Sequence, residues 1–181
     1  MLQIEIEANT LFNEATLEFI EIPKTILKLE HSLLSISKWE SKWHKSFISN
    51  LKDLKNEEII DYIRCMTLNT VDDRVYNALN AANINKVVEY INDPMTGTTI
   101  NEHGSRHNNG KFITNELIYS WMAALQIPFE PCEKWHFNRL MTLIRVCNAN
   151  QESPKKMSKG AIYNRNKSLN AARRAQMHSK G

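Results

Sequence analysis

Apolar and polar residues alternate over the first thirty positions of the chain. A period of two is typical of strands that bury one face. A turn-prone stretch at residues 8–15 divides this alternation, and Pro23 divides it again. The pattern predicts a β-hairpin or a meander, with residues 25–31 as a candidate third strand. The apolar positions of the first two strands are Leu2, Ile4 and Ile6, and then Leu17, Phe19 and Ile22.

From residue 33 onward the apolar residues recur at the three- and four-residue spacing of helices. The first helix is predicted over residues 33–47, with Ser32 or Ser35 as its cap. It places Trp39 and Trp43 on one face, which we interpret as core packing rather than as a ligand platform. Further helices are predicted to begin at Asn56, Thr70, Asn83, Thr114 and Pro131, and the last of these runs through Cys147 to about residue 150.

One segment interrupts the helical rhythm. Residues 93–111 contain three glycines, three threonines and almost no large apolar side chain. This composition predicts an exposed loop. Loops of this length are commonly functional or mobile.

Charge separates the two ends of the chain, which has 181 residues and a net charge of +3. Residues 151–181 hold eight Lys or Arg against one acid, Glu152, whereas residues 1–150 hold 15 basic and 19 acidic side chains. We expect an α+β, mostly α fold, with a single β-then-helical domain over residues 1–150. Residues 151–181 are expected to form a basic helical arm that is capped by Ser158 and has few apolar residues to bury.

The basic arm has three interpretations. Binding to nucleic acid would require stacking surfaces besides the cations, and Tyr163 alone offers one. A solvated tail needs no partner. Docking to an acidic protein needs only the charge and an apolar face, and we favour this interpretation. The predicted partner-binding residues are Lys155, Lys156, Ile162, Arg165, Lys167, Leu169, Arg173 and Arg174.

Membrane and disulfide-rich classes do not fit the sequence. No apolar run approaches the roughly 20 residues that a bilayer span needs. The first seven residues alternate and include two acids, unlike a secretory signal, which predicts a cytosolic protein. The three cysteines, Cys65, Cys132 and Cys147, lie in apolar helical surroundings, so we expect free thiols and no disulfide framework.

Metal-ligand spacing occurs twice without a complete ligand set. His103 and His107 lie in the predicted loop, and no second pair of Cys or His accompanies them. Cys132 and His136 have the same interval, and we expect Cys132 to pack in a helical turn and His136 to face water. The sequence therefore predicts no metal site.

Catalytic patterns are also missing. The five glycines are isolated and form no phosphate-binding motif. The acidic pairs at residues 57–58 and 72–73 are adjacent, so on a helix their side chains point about 100° apart. Their positions suit the starts of helices, where negative charge is favourable. We expect a protein that is not an enzyme and that has no cofactor.

Three segments of the chain carry a resemblance to a known family. They are LEHSL at residues 29–33 leading into SKWESKW at 37–43, KWHFNRLMTLIRVCN at 134–148, and PKKMS at 154–158 continuing to LNAARR at 169–174. Together they resemble the tail assembly chaperones that long-tailed bacteriophages of Gram-positive hosts encode. The resemblance spans nearly the whole chain.

The resemblance implies a function and a location. Such a chaperone binds the tape-measure protein and the tail-tube protein during tail growth in the host bacterial cytoplasm, and it is absent from the finished particle. The resemblance also implies a small N-terminal β element, a helical body and a homo-oligomer, but no residue-level site. The alternatives are a structural protein of the virion, in the tail or at a head–tail joint, and a basic-tailed nucleic-acid-binding protein.

Overall fold

The computed structural model describes residues 1–13, 17–98, 112–151 and 159–177 of the chain. The chain divides into two compact units, Met1–Cys147 and Asn148–Gly181, and we call the first unit the body. Strands come first and helices follow, so the predicted α+β, mostly α class is confirmed. The domain boundary expected after residue 150 stays a prediction.

Four strands occupy the described part of residues 2–29. They are β1 (Leu2–Ile6), β2 (Asn9–Asn13), β3 (Glu18–Ile22) and β4 (Thr25–Leu29). β1 pairs with β4 and β2 pairs with β3, both antiparallel, and partner numbers add up to 31 in both ladders. The strands therefore form one long hairpin, not a meander. It is interrupted near Pro23, which has no N–H to donate to a ladder.

β2 lies inside residues 8–15, where the sequence predicts a turn, so that prediction is wrong. Leu11 lies opposite Ile20, and Phe12 lies opposite Phe19. Cross-strand apolar and aromatic pairs of this kind stabilise a ladder. The sequence did not predict β2, because Asn9, Thr10 and Asn13 are polar residues that are common in turns.

The two ladders present opposite faces to the core. In β1 the even-numbered Ile4 and Ile6 are buried. In β2 the even-numbered Phe12 is exposed, and its neighbour Leu11 packs against the core. Phe12 and its partner Phe19 are therefore left on the outer surface.

Helices are the other regular elements of the described chain. They are α1 (Leu33–Trp43), α2 (Phe47–Asn50), α3 (Asn56–Met66), a 3₁₀ helix (Asp73–Ala78), α4 (Ala81–Asn92), α5 (Asn115–Ala124), α6 (Phe129–Cys132), α7 (Phe137–Gln151) and α8 (Lys159–Gln176). In these described segments no helix combines the length and the apolar character that a membrane span requires.

α1 begins where the sequence predicts and ends earlier. The Ser32 hydroxyl accepts a hydrogen bond from the Ser35 N–H, and the Ser35 hydroxyl accepts one from the Ser32 N–H, which is a capping box. His44 takes a left-handed conformation with φ of 51° and ends the helix. Phe47 therefore starts α2, and the prediction that it continues α1 is wrong.

The single long helix predicted from Pro131 is wrong, because the structure has two helices there. α6 ends at Cys132, and α7 begins at Phe137. Between them His136 forms an isolated antiparallel bridge with Ser32, which takes its backbone out of the helix.

Two other helices start at different residues from those predicted. Thr70 caps no helix, because the Asp72 carboxylate accepts a hydrogen bond from the Arg74 N–H at 2.9 Å and opens the 3₁₀ helix. Asn83 lies within α4, where the Asn80 side chain accepts a hydrogen bond from its N–H at 2.9 Å. In each case a nearby Asp or Asn reaches the free N–H groups of the first turn.

The core of the body lies between the first ladder and the helices. Trp39 is fully buried, and its indole N–H donates to the carbonyl oxygen of Glu58 at 3.0 Å. Phe47 and Tyr62 stack with ring centroids 3.8 Å apart. Trp43 is partly buried against the same core. The interpretation of both tryptophans as packing residues is confirmed.

The predicted loop is described only in part. Residues 93–98 contain no helix or strand. Residues 99–111, which include His103 and His107, lie outside the described residues. The predicted cap Ser158 lies outside them as well.

Candidate functional site

α8 carries most of the predicted partner-binding residues. Its exposed side chains include Ile162 and Leu169, each 45% exposed. Lys155 and Lys156 lie outside the described residues. The other predicted residues, Arg165, Lys167, Arg173 and Arg174, lie in α8 and are exposed.

The helical geometry sorts these residues into faces. At about 100° per residue, Leu169 and Arg173 each lie within about 20° of Ile162 around the helix axis. Lys167 and Arg174 lie about 120–140° away from Ile162. Ile162, Leu169 and Arg173 therefore lie on one face, Arg165 lies about 60° from Ile162, and the other two predicted cations lie elsewhere.

The charge of α8 has one sign. Residues 159–177 contain five Lys or Arg and no acid. Arg173 and Arg174 lie in the last turn, where cations stabilise the helix through its dipole, so part of the charge has a local role. The remaining charge and the exposed apolar face suit an acidic partner with apolar groups of its own.

A buried polar network lies inside the body. Nδ1 of His31 lies 2.5 Å from the Tyr62 hydroxyl oxygen, which lies 3.2 Å from the Ser35 hydroxyl. The Ser35 hydroxyl donates to the carbonyl oxygen of Ser32 at 2.7 Å. Each hydroxyl has one proton, so all three contacts are hydrogen bonds only if Nδ1 of His31 carries a proton and donates it to Tyr62.

His136 lies beside this network, and the expectation that it faces water is wrong. It is 7% exposed, whereas Cys132 is buried as expected. Nε2 of His136 donates to the carbonyl oxygen of Tyr90 at 3.0 Å, and Nδ1 accepts a hydrogen bond from the Asn138 N–H at 3.3 Å. The carbonyl can only accept and the amide can only donate, so this imidazole is neutral.

Burial lowers the pKa of both histidines. For His31, loss of solvent is the largest cause and nearby His136 adds to it, which lowers the pKa from 6.5 to about 3. For His136, loss of solvent also lowers the pKa, and the Tyr90 hydrogen bond opposes it. General acid–base catalysts are most effective with a pKa near the working pH, so this pair suits a structural role.

Two of the segments that carry the family resemblance meet at these histidines. The Phe137 N–H donates to the carbonyl oxygen of His31 at 2.7 Å, and the Leu34 N–H donates to that of Glu133 at 3.3 Å. The sequence did not predict this contact, because the segments are about a hundred positions apart. One histidine in each segment, His31 and His136, is the sequence feature that pointed to the contact.

A buried carboxylate, Glu40, joins two helix starts. One oxygen accepts a hydrogen bond from the Phe47 N–H of α2, and the other accepts one from the Asn115 N–H of α5, both at 2.8 Å. Burial raises the pKa of Glu40, and these two hydrogen bonds oppose the rise. The carboxylate therefore fixes the relative positions of α1, α2 and α5.

The other reactive groups of the body have structural surroundings. Glu58 pairs with Lys45, and Asp61 pairs with Lys42 and Arg64. All three cysteines are free thiols, and burial raises the pKa of the Cys65 thiol to about 11. Within the described ranges, no group of three or more His, Cys, Asp or Glu side chains could hold a metal ion.

An apolar cleft of about 330 Å³ opens between α3 and α4. Its lining includes Leu54, Ile59, Val87 and Ile91, with Lys52 among its polar residues. Such a lining offers apolar contact and little that would select one ligand over another.

The described residues therefore offer surfaces for binding rather than a reactive constellation. α8 presents charge and an apolar face, and the outer face of the β2–β3 ladder presents aromatic rings. The chain matches no protein-family model, no curated protein and no solved structure.

Proposed function

We propose that this protein is a non-enzymatic chaperone of bacteriophage tail assembly that acts in the host bacterial cytoplasm. It binds the tape-measure protein and the tail-tube protein while the tail grows. The observation that carries the proposal is α8, an 18-residue helix with exposed side chains, five cations and no acid over residues 159–177. A helix with so little of its own to bury is suited to a partner surface.

Two of the segments that carry the family resemblance pack together in the body. Residues 29–33 and 134–148 are distant in sequence, yet they share a backbone bridge and a buried histidine pair. Segments that form one packed unit define a fold rather than two separate motifs. Both segments therefore contribute to the packing of the body, and in this proposal α8 supplies the binding surface.

The chemistry of α8 suits a temporary complex. Its cations attract an acidic partner from a distance and speed association, whereas exposed ion pairs add little affinity once formed. Ile162 and Leu169 supply the apolar contact that selects the partner. Such a complex can be displaced as the tail-tube subunits assemble, which a chaperone requires.

Co-expression with the tape-measure and tail-tube proteins tests the proposal. At low salt the wild-type chain should co-purify with at least one of them. Leu169→Ser and Arg173→Glu, both on the apolar face of α8, should reduce recovery of the complex. Arg174→Glu is the control for Arg173→Glu, because it makes the same charge change on another face, and it should reduce recovery less. Failure of both partners to co-purify at low salt contradicts the proposal.

Purified phage particles separate the chaperone from the alternative of a virion structural protein. Mass spectrometry of the particles should detect the tape-measure and tube proteins and should not detect this chain. Detection of the chain in stoichiometric amount supports the structural alternative.

Nucleic-acid binding that weakens steeply with salt and requires the cations of α8 would support the third function, a nucleic-acid-binding protein.

A further inference from the structure

The outer face of the β2–β3 ladder is an exposed aromatic surface. Phe12 and Phe19 lie directly opposite each other, with ring centroids 5.1 Å apart, and they are 50% and 74% exposed. Alternate pairs of a ladder share a face, so Thr10 and Glu21 lie beside them. Leu17, next to the turn, is 76% exposed. The two rings support the hairpin and also leave apolar surface exposed on its outer face.

This hairpin and α8 have opposite charge. Residues 9–22 contain three Glu and no Lys, Arg or His, and of the three Glu21 lies on the outer face with Phe12 and Phe19. Residues 159–177 contain five Lys or Arg and no acid. Opposite charges across an interface favour encounter and set the register of docking.

The spacing of apolar and charged groups also matches. Along β3, Glu21 lies two residues from Phe19, a distance of about 6.7 Å. Along α8, Arg173 lies four residues from Leu169 on the same face, a distance of about 6 Å. A helix that lies along β3 can therefore place Leu169 on the Phe12–Phe19 pair and Arg173 beside the Glu21 carboxylate.

We propose that α8 of one copy docks on the outer face of the β2–β3 ladder of a second copy. Leu169 packs on Phe12 and Phe19, and Arg173 pairs with Glu21 of the other molecule. The surfaces differ, so the interface is heterologous and can repeat from copy to copy. The charges and spacing of this chain carry the inference, which does not depend on the proposed function. Both proposals use the same face of α8, so a second copy and a tail protein would compete for it. Nucleic acid is a poorer occupant, because the hairpin carboxylates repel it.

Sedimentation velocity of the full chain gives the first test. The wild type should form oligomers that grow with protein concentration and dissociate as salt is raised, because salt screens exposed charge pairs. Glu21→Arg and Arg173→Glu should each weaken association on the order of tenfold or more. Circular dichroism checks that each variant folds like the wild type.

Mixing the two charge variants gives the decisive test. Each variant alone places like charges across the contact. In the mixture, the Arg at position 21 of one variant faces the Glu at position 173 of the other, and the remaining contact pairs native Glu21 with native Arg173. Two proteins that are monomeric alone should therefore associate when mixed.

Matched controls have the same change in charge at neighbouring positions. Glu18→Arg lies in the pair with Asn13 on the opposite face of the ladder, and Arg174→Glu lies about 100° from Arg173 on α8. Both should associate like the wild type. A wild type that stays monomeric at low salt, a mixture no heavier than its components, or equal weakening by the controls overturns the inference. The co-purification assay is read separately, so either idea can fail alone.

Discussion

Nδ1 of His31 lies 2.5 Å from the hydroxyl oxygen of Tyr62 in the interior of the body. The side-chain contact connects the end of β4 to α3. The main-chain carbonyl of His31 accepts the Phe137 N–H at the start of α7. His31 thus links three elements that are far apart in sequence, and its neutral ring makes this possible without an unpaired buried charge.

Tyr62→Phe should destabilise the body. The change removes one hydroxyl and leaves the Nδ1–H of His31 without its acceptor, at a cost of about 1–3 kcal/mol in the free energy of unfolding. Urea denaturation followed by circular dichroism measures it. Tyr163→Phe is the control, because Tyr163 is 67% exposed on α8, and it should change stability by less than about 0.5 kcal/mol. Equal effects of the two substitutions would contradict a stabilising hydrogen bond between His31 and Tyr62.

Local signals predicted many of the elements. β1 and β4 follow from alternation, because their alternate residues pack against the core. The start of α1 follows from the Ser32 cap, and α5 follows from its apolar spacing after Thr114. These elements depend on residues within a few positions of each other, which is the range that periodicity and capping describe.

Distant contacts explain what the sequence could not predict. β2 depends on Ile20 and Phe19 across the ladder, and the gap between α6 and α7 depends on the bridge from His136 to Ser32. The burial of His136 has the same origin. For the binding surface, charge indicated α8, whereas the outward position of Phe12 required knowledge of the strand register.

Glu40→Gln should cost more than an ordinary surface change. The carboxylate accepts two main-chain N–H groups, and the amide would turn an NH₂ donor towards one of them. The N–H left without an acceptor should lower the free energy of unfolding by about 1–3 kcal/mol, while the neutral amide avoids the burial penalty that raises the pKa of Glu40. Thermal and urea denaturation measure it. Glu116→Gln, on the exposed first turn of α5, should cost less than about 1 kcal/mol.

Truncation after Gln151 should remove partner binding and preserve the stability of the body. The described side chains of α8 are exposed, so their removal takes little apolar surface from the core. The melting temperature should shift by no more than about 2 °C, and co-purification with tail proteins should be lost. Calorimetry and the co-expression assay measure the two effects. A shift several times larger would show that residues after 151 stabilise the body.

Mild acid should destabilise the protein through its buried histidines. Burial lowers the pKa of His31 from 6.5 to about 3, and it lowers the pKa of His136 as well. Below pH 6.5 the unfolded chain binds protons that the folded chain does not, so the free energy of unfolding falls as the pH falls. Each histidine contributes at most about 1.4 kcal/mol per pH unit, and neither contributes a slope above about pH 7.5.

His136→Gln isolates one histidine's share of this slope. The glutamine amide can still donate to the Tyr90 carbonyl oxygen, but it does not titrate in this range. Urea denaturation between about pH 7.5 and pH 5 should therefore show a shallower pH slope than the wild type, and a slope should remain because His31 still contributes. This window lies above the ordinary pKa of Asp and Glu, so most carboxylates stay ionised, and Glu40, whose pKa burial raises, is present in both proteins. An unchanged slope in the variant would show that His136 takes up a proton in the folded protein, contrary to its burial.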